Sequence, residues 1–124
     1  MTSTNRQVLT IRRSSHLFST RPALVEKLAK TRRRILLAPD QLLHPEVPLA
    51  YIVRLGKLRV TQFLPGGAEV TRAVLQAGAL LTAEEITDGE ADPARDVYYL
   101  SDMVLMALGE VELWALPAAA LDHD

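Results

Sequence analysis

The chain contains few residue combinations that could support catalysis or metal binding. Its three histidines, His16, His44 and His123, are far apart in sequence, and it has no cysteine. A thiolate nucleophile and a cysteine-ligated iron–sulfur cluster are therefore excluded. Metal-dependent barrel enzymes group histidines on neighbouring strands, and none of these three falls in a predicted strand. We therefore predict no catalytic residues, no metal site and no cofactor, and we do not expect an enzyme.

Acidic side chains cluster within residues 82–96. Asp88, Glu90 and Asp92 alternate along the chain, as the oxygen ligands of calcium-binding loops do. Pro93, however, stands where an EF-hand requires glycine. Because the segment is polar and bounded by glycine and proline, we predict a short helix followed by an exposed, solvated loop.

Charge is distributed unevenly between the two halves of the chain. Residues 1–60 hold 12 Lys/Arg against 3 Asp/Glu, a balance of +9, whereas residues 61–124 hold 2 against 12, a balance of −10. Such a division can indicate a surface for nucleic acid or a protein partner. We favour the other explanation, that the two halves face each other within one domain and partly neutralise each other.

Length and composition are those of a single globular domain. The chain has 124 residues, of which 48% are apolar and 23% charged. It contains no apolar run of the roughly 20 residues that a membrane span needs, and its N-terminus lacks the apolar segment of a secretory signal. We expect a cytoplasmic protein that does not associate with membranes.

The stretch Tyr51–Leu81 has the pattern of successive β-strands joined by tight turns. Apolar and polar residues alternate over 58–63, which is typical of a half-buried antiparallel strand. Gly66 and Gly67 follow Pro65 and predict a hairpin turn, because glycine tolerates positive φ. Residues 69–75 form the predicted returning strand. Gly56 and Gly78 are predicted to be structural glycines at turns or close strand contacts.

The segments on either side of this core are also assigned from their patterns. Residues 1–21 are predicted to be a lead-in, and residues 22–30 a helix that begins at a proline. The three arginines at 32–34 are interpreted as the solvated end of that helix, before a strand at 35–38. Strands are predicted again near 97–100, 103–108 and 111–115. A second helix is predicted to begin at Pro117.

These residues resemble a known family. The pattern Tyr51-x-Val53-x-x-Gly56-x-Leu58-x-Val60, the run 66–70, Leu75-x-x-Gly78 and the run 107–117 are similar to cyclic-nucleotide-binding domains, more narrowly to the sensor domain of Crp/Fnr-type bacterial transcription regulators. The similarity covers residues 24–121. It implies a mainly β fold, an antiparallel double-stranded β-roll of the jelly-roll or cupin type with short flanking helices.

The resemblance also implies where a ligand site would be. In this family a Gly-Glu pair and, further on, an arginine with a small neighbour hold the ribose and the cyclic phosphate. The positions matching the pair are Thr82 and Ala83, with Glu84 displaced from it, and those matching the arginine and its neighbour are Ser101 and Asp102. The charged contacts are missing, so we predict a degenerate phosphate cassette that does not bind cyclic nucleotides.

The predicted function follows from this resemblance. Residues 22–124 would form the sensor or dimerisation domain of a Crp/Fnr-like regulator, ending at the start of a dimerisation helix and without a DNA-binding domain. An exposed apolar patch of Trp114, Leu116 and Leu121 would support a weak homodimer, and the alternative for Trp114 is a place in the core. DNA would be contacted only through a domain or partner outside this chain, and the effector is not identified. The alternative is a free-standing β-roll that acts as a protein-interaction module without a small-molecule ligand.

Overall fold

A computed structural model of the protein describes residues 5–13, 22–87 and 96–121. One α-helix, α1 (Pro22–Thr31), lies in this part of the chain. The strands are β1 (Asn5–Arg12), β2 (Arg33–Leu37), β3 (Leu42–Leu43), β4 (Leu49–Leu55), β5 (Leu58–Phe63), β6 (Glu69–Leu75), β7 (Leu80–Thr87), β8 (Asp96–Tyr99), β9 (Met103–Ala107) and β10 (Val111–Pro117). Two 3₁₀ turns, Leu100–Asp102 and Ala118–Leu121, precede β9 and follow β10.

The strands form two antiparallel sheets that enclose the main core. The larger sheet has the order β2-β10-β4-β7-β1-β8, and the smaller one β3-β9-β5-β6. The predicted antiparallel β-roll is confirmed. Both sheets turn alternate apolar side chains inward, which is how a two-sheet fold excludes water from its interior. The largest fully buried side chains of this core are Leu9, Tyr51, Val53, Leu58, Val60, Leu75, Leu81, Leu105 and Leu113.

The hairpin of β5 and β6 forms as predicted. Its strands pair from Leu58↔Leu75 to Phe63↔Glu69. The turn is closed by the backbone N–H of Leu64, which donates to the carbonyl oxygen of Ala68 at 2.7 Å. Gly66 and Gly67 both have φ of +93°, the left-handed conformation that glycine adopts without steric cost.

Helix α1 covers part of the outer face of the larger sheet. It begins at Pro22, since proline lacks the N–H that the first helical turn leaves unpaired anyway. Leu28 is its fully buried residue and packs on Ile52 of β4 and on Trp114 and Leu116 of β10. This second apolar cluster is separate from the core between the sheets.

The predicted helix within 82–96 is wrong. Strand β7 continues from Leu80 to Thr87, and residues 88–95, which include the predicted acidic loop, lie outside the described residues. The strand is stabilised by pairing along its whole length with β1, from Leu80↔Arg12 to Thr87↔Asn5. This pairing overrides the weak strand preference of an acidic segment.

Strand β1 lies inside the larger sheet, although the sequence placed it in a lead-in to the domain. It pairs with β7 on one side and with β8 on the other. Leu9 and Ile11 point into the main core, where both are buried.

The predicted end of the first helix and the predicted start of the second also differ from the structure. Arg33 and Arg34 belong to strand β2 rather than to a helix end, because their backbone pairs with Ala115 and Trp114 of β10. At the C-terminal end, β10 extends to Pro117 and is followed by a 3₁₀ turn instead of the start of an α-helix.

Candidate functional site

The residues that match the start of the phosphate cassette lie in the middle of β7. Thr82, Ala83 and Glu84 are paired with Thr10, Leu9 and Val8 of β1, respectively. Ala83 points inward and is 0% exposed, whereas Thr82 and Glu84 lie half-buried on the opposite face. A cassette of the expected kind presents backbone N–H groups at a helix start. Here the backbone groups form a sheet ladder instead.

The second half of the predicted cassette lies in the 3₁₀ turn Leu100–Asp102. Ser101 is exposed and Asp102 is half-buried. The turn continues directly from β8, which pairs with the far side of β1. Strand β1 therefore lies between Thr82–Glu84 and Ser101–Asp102, and the structure does not bring the five predicted residues together around one pocket.

The space between the sheets at this end of the roll is filled with apolar side chains. Leu9 and Ile11 of β1 pack in the same cluster as Leu81 and Ala83 of β7, with Tyr98 and Leu100 against them. An apolar interior of this kind offers no hydrogen bonds to a phosphate or a ribose.

Arginines near this end of the roll contact tyrosines. The guanidinium group of Arg6 donates to the hydroxyl of Tyr99 at 2.7 Å and lies 5.6 Å from the centre of that ring. Arg72 lies 5.7 Å from the ring of Tyr98 and donates to the side-chain oxygen of Gln62 at 2.7 Å. Arg95, the cation nearest to the cassette in the sequence, lies outside the described residues.

The predicted dimer residues are close together but do not form an exposed patch. Trp114 is 6% exposed and Leu116 1% exposed, while Leu121 of the C-terminal 3₁₀ turn packs against the cluster that contains them. The apolar surface of β10 is covered by α1 of the same chain. The expectation of an exposed patch fails because the sequence gives no sign of which sheet face α1 covers.

Trp114 is instead the centre of a cluster of charged side chains. The guanidinium carbons of Arg32 and Arg54 lie 4.7 and 5.8 Å from the centre of the indole ring. The indole N–H donates to the carboxylate of Glu112 at 2.9 Å, and the Arg34 guanidinium binds the other carboxylate oxygen at 3.0 Å. Such cation–aromatic contacts are favourable by about 0.5–2 kcal/mol each.

Electrostatics in this cluster act most strongly on Glu112. Hydrogen bonds from Arg34 and then from Trp114 stabilise the carboxylate and hold the pKa of Glu112 below its ordinary value. Burial, by contrast, raises the pKa of the Tyr51 hydroxyl, which accepts a hydrogen bond from the backbone N–H of Glu46 at 3.0 Å.

Beside this cluster, a shallow open groove crosses the outer face of the larger sheet. It has a volume of about 460 Å³, and its lining residues are Leu36, Leu37, Ala38, Gln41, Leu55, Glu110, Val111 and Glu112. Leu36 and Leu55 flank Glu112 across three adjacent strands. Leu36 is 65% exposed and Leu55 56% exposed. Sequence reasoning did not identify this groove; the only signal was the run of arginines before Ile35.

Two glycines of the predicted turns occupy conformations that suit glycine. Gly56 has φ of +90°, and a Cβ atom there would lie 2.3 Å from the carbonyl oxygen of Glu110. Gly78 has φ of +96°, and its N–H donates to the carbonyl oxygen of Val53 at 2.8 Å. Each of these turns therefore brings two backbone segments into direct contact.

Metal ligands do not cluster in the described part of the chain: within it, no group of three or more His, Cys, Asp or Glu residues could hold an ion. His44 lies exposed in the loop before β4, while His16 and His123 fall outside the described ranges. Over the same residues, no helix has the length and apolar character needed to cross a bilayer.

Solved structures of bacterial regulators are similar to this fold. The N-terminal domain of a transcriptional regulator from Streptomyces coelicolor A3(2) superposes with a TM-score of 0.59 at 20% identity, covering 86% of this chain and 71% of that one. The catabolite activator protein of Thermus thermophilus gives a TM-score of 0.58 at 24% identity, over 86% of this chain and 48% of its own.

A third similar structure is a cyclic nucleotide-binding-like protein from Brucella abortus, with a TM-score of 0.54 at 22% identity over 86% of this chain and 85% of that one. No protein-family model matches the sequence, and no curated protein matches it significantly. The present chain spans about half the length of the Thermus protein. It has the β-roll fold of these cyclic-nucleotide-binding-like domains, as the resemblance in its sequence predicted.

Proposed function

We propose that this chain is the sensor or dimerisation domain of a Crp/Fnr-like transcription regulator and that it does not bind cyclic nucleotides. The proposal rests above all on one observation: β1 pairs with the whole of β7, where the family's phosphate cassette would otherwise begin. The shared fold supports a regulatory role, and no catalytic role is proposed.

Charge at the matching positions supports the loss of nucleotide binding. Ser101 and Asp102 stand where the family has its phosphate-binding arginine and its neighbour. A cyclic phosphate beside the Asp102 carboxylate would be repelled instead of attracted. By the resemblance, the cassette positions would bind the effector. A regulator built on this chain therefore responds to an effector other than a cyclic nucleotide, or to none.

Contact with DNA would be made by a further domain or a partner. The similar Thermus protein is about twice as long as the part that matches, which fits a domain that works within a larger protein. A cytoplasmic location and a homodimer belong to this proposal as well. Because α1 covers Trp114 and Leu116, a dimer contact would use the exposed side of the 3₁₀ turn, where Ala119 is exposed.

A fusion experiment tests the dimerisation role. The chain is joined to a DNA-binding domain that represses a reporter gene only as a dimer, and sedimentation equilibrium of the unfused chain is measured over a hundredfold range of concentration. We expect repression and weak, concentration-dependent association, both reduced by Ala119→Glu. Repression no stronger than that of the DNA-binding domain alone, together with a monomer at every concentration, rules out this role.

The alternative function, a protein-interaction module, is favoured by a different observation. The groove around Leu36 and Leu55 leaves two large apolar side chains exposed on one sheet face, and such surfaces are typical of interaction sites.

A further inference from the structure

Strand β2 forms one edge of the larger sheet. It pairs with β10 on its inner side, and among the described residues no strand pairs with its outer side. An edge strand presents unpaired backbone N–H and C=O groups, to which an extended segment of another protein can add as a further strand.

The groove lies directly beside this edge. Leu36 of β2 faces it, and Glu112 and Leu55 follow on the next two strands of the same face. A strand added to β2 would place alternate side chains beside Arg34 and Leu36, which share one face, and an apolar group beside Leu36 would be removed from water.

The edge is positively charged. Arg33 and Arg34 belong to β2, while Arg32 precedes it and Arg54 lies across the sheet face. The carboxylates of Glu110 and Glu112 line the groove beside these arginines. The side chain of Arg34 remains 53% exposed while it binds Glu112.

We propose that the β2 edge beside the groove binds an extended acidic peptide segment of a partner protein, which adds to the sheet as a strand. On the groove face an apolar side chain of the segment covers Leu36 and a carboxylate two residues away binds Arg34, and on the opposite face a carboxylate binds Arg33. This surface is remote from the cassette positions, so the proposal does not depend on the loss of nucleotide binding.

Charge and the exposed Leu36 decide between this occupant and two others. Two-fold pairing of β2 with β2 of a second copy would bring Arg33 and Arg34 of both copies together in one contact, which is unfavourable. Duplex DNA would leave Leu36 uncovered, because its phosphate backbone offers no apolar group to pack there. An acidic strand with apolar side chains satisfies the arginines and Leu36 together.

Trp114 makes the binding measurable without a label. It is the only tryptophan, and its indole contacts Arg32, Arg54 and Glu112 beside the groove. The probe is a seven-residue synthetic peptide, Glu-Glu-Val-Val-Glu-Glu-Val, which presents Glu and Val in turn on each face of a strand. It is titrated into the whole chain while Trp114 emission is recorded. We expect a saturable change that weakens with added salt, because exposed charges are screened.

Two variants and two further probes complete the test. Leu36→Glu places a carboxylate in the groove and is expected to weaken binding at least about tenfold. Val74→Glu is the matched control, since Val74 is 48% exposed on the edge strand β6 of the other sheet, and it should leave binding unchanged. A peptide with Lys in place of Glu, and one whose central Val is replaced by Pro, should not bind.

Binding of the Glu peptide that is equal in Leu36→Glu and the wild type would overturn the proposal, as would the absence of any binding. Tight binding of a 20-base-pair DNA duplex that displaces the peptide would also overturn it, and would assign the arginines to nucleic acid instead. Thermal unfolding of each variant verifies that Leu36→Glu remains folded, which its exposed position predicts.

Discussion

Leu9 of β1 lies directly opposite Ala83 of β7, and both side chains are completely buried. By the family resemblance, Ala83 stands where nucleotide-binding domains carry the glutamate that contacts the ribose. The pairing makes this position part of the apolar core, and its partner Leu9 is distant from it in the sequence.

The first prediction concerns cyclic nucleotides. Calorimetric titration of the chain with cyclic AMP and with cyclic GMP should give no saturable heat, because the backbone of β7 is paired with β1 and no arginine stands at Ser101. A nucleotide-binding domain with an intact cassette, titrated under the same conditions, is the positive control. Saturable micromolar binding of either nucleotide would falsify the prediction.

The second prediction concerns the contribution of β1 to stability. Leu9→Ala should lower the free energy of unfolding by about 2–5 kcal/mol, since it leaves a cavity in a fully buried site. Leu36→Ala is the matched control. Leu36 is exposed, so its substitution should change stability by no more than about 0.5 kcal/mol. Urea denaturation measures both, and equal effects would mean that β1 is not a strand of the core.

The third prediction separates two reasons for a glycine. Gly56→Ala should lower the thermal midpoint by several degrees, on a scale of about 4 °C per kcal/mol. The alanine would be strained by the positive φ, and its Cβ would also collide with the carbonyl oxygen of Glu110. Gly67→Ala has a similar φ but open space around the Cβ. Differential scanning calorimetry should therefore show the smaller decrease for Gly67→Ala. The opposite order would contradict the close contact at Gly56.

The fourth prediction concerns pH. The folded state lowers the pKa of Glu112, so the ionised carboxylate stabilises the fold above the ordinary glutamate pKa of about 4.3. This contribution is lost as the pH falls through the lower pKa of the folded state. The stability advantage of the wild type over Glu112→Gln should be constant near neutral pH and decrease as the solution is acidified below about pH 4.3.

Denaturation at a series of pH values measures this difference. Glu110→Gln is the control, because it removes an exposed carboxylate from the turn before β10. The difference in stability between Glu110→Gln and the wild type should not show the same decrease at acidic pH. An advantage of the wild type over Glu112→Gln that persists unchanged at low pH would show that the Arg34–Glu112 pair contributes nothing.

Local signals were sufficient to predict some elements. The β5–β6 hairpin was predicted with its correct strand ends because alternation and the Pro65–Gly67 turn lie within a short stretch of sequence. Strand β7 was missed because its acidic residues disfavour a strand locally, while its partner β1 is distant in sequence. Whether Trp114 lies in the core or on a dimer surface stayed open for the same reason, since it depends on where α1 docks. The β2 groove combines three strands and has no local signature.

The position of β1 between β7 and β8 has a consequence for how the chain acquires its structure. It is synthesised before either of its partners, because both belong to the second half of the sequence. Pairing over such a separation carries a large loop-closure entropy and is slow. During synthesis Val8, Leu9 and Ile11 have no strand partners until β7 and β8 emerge, so an early strand of this sheet completes its pairing late.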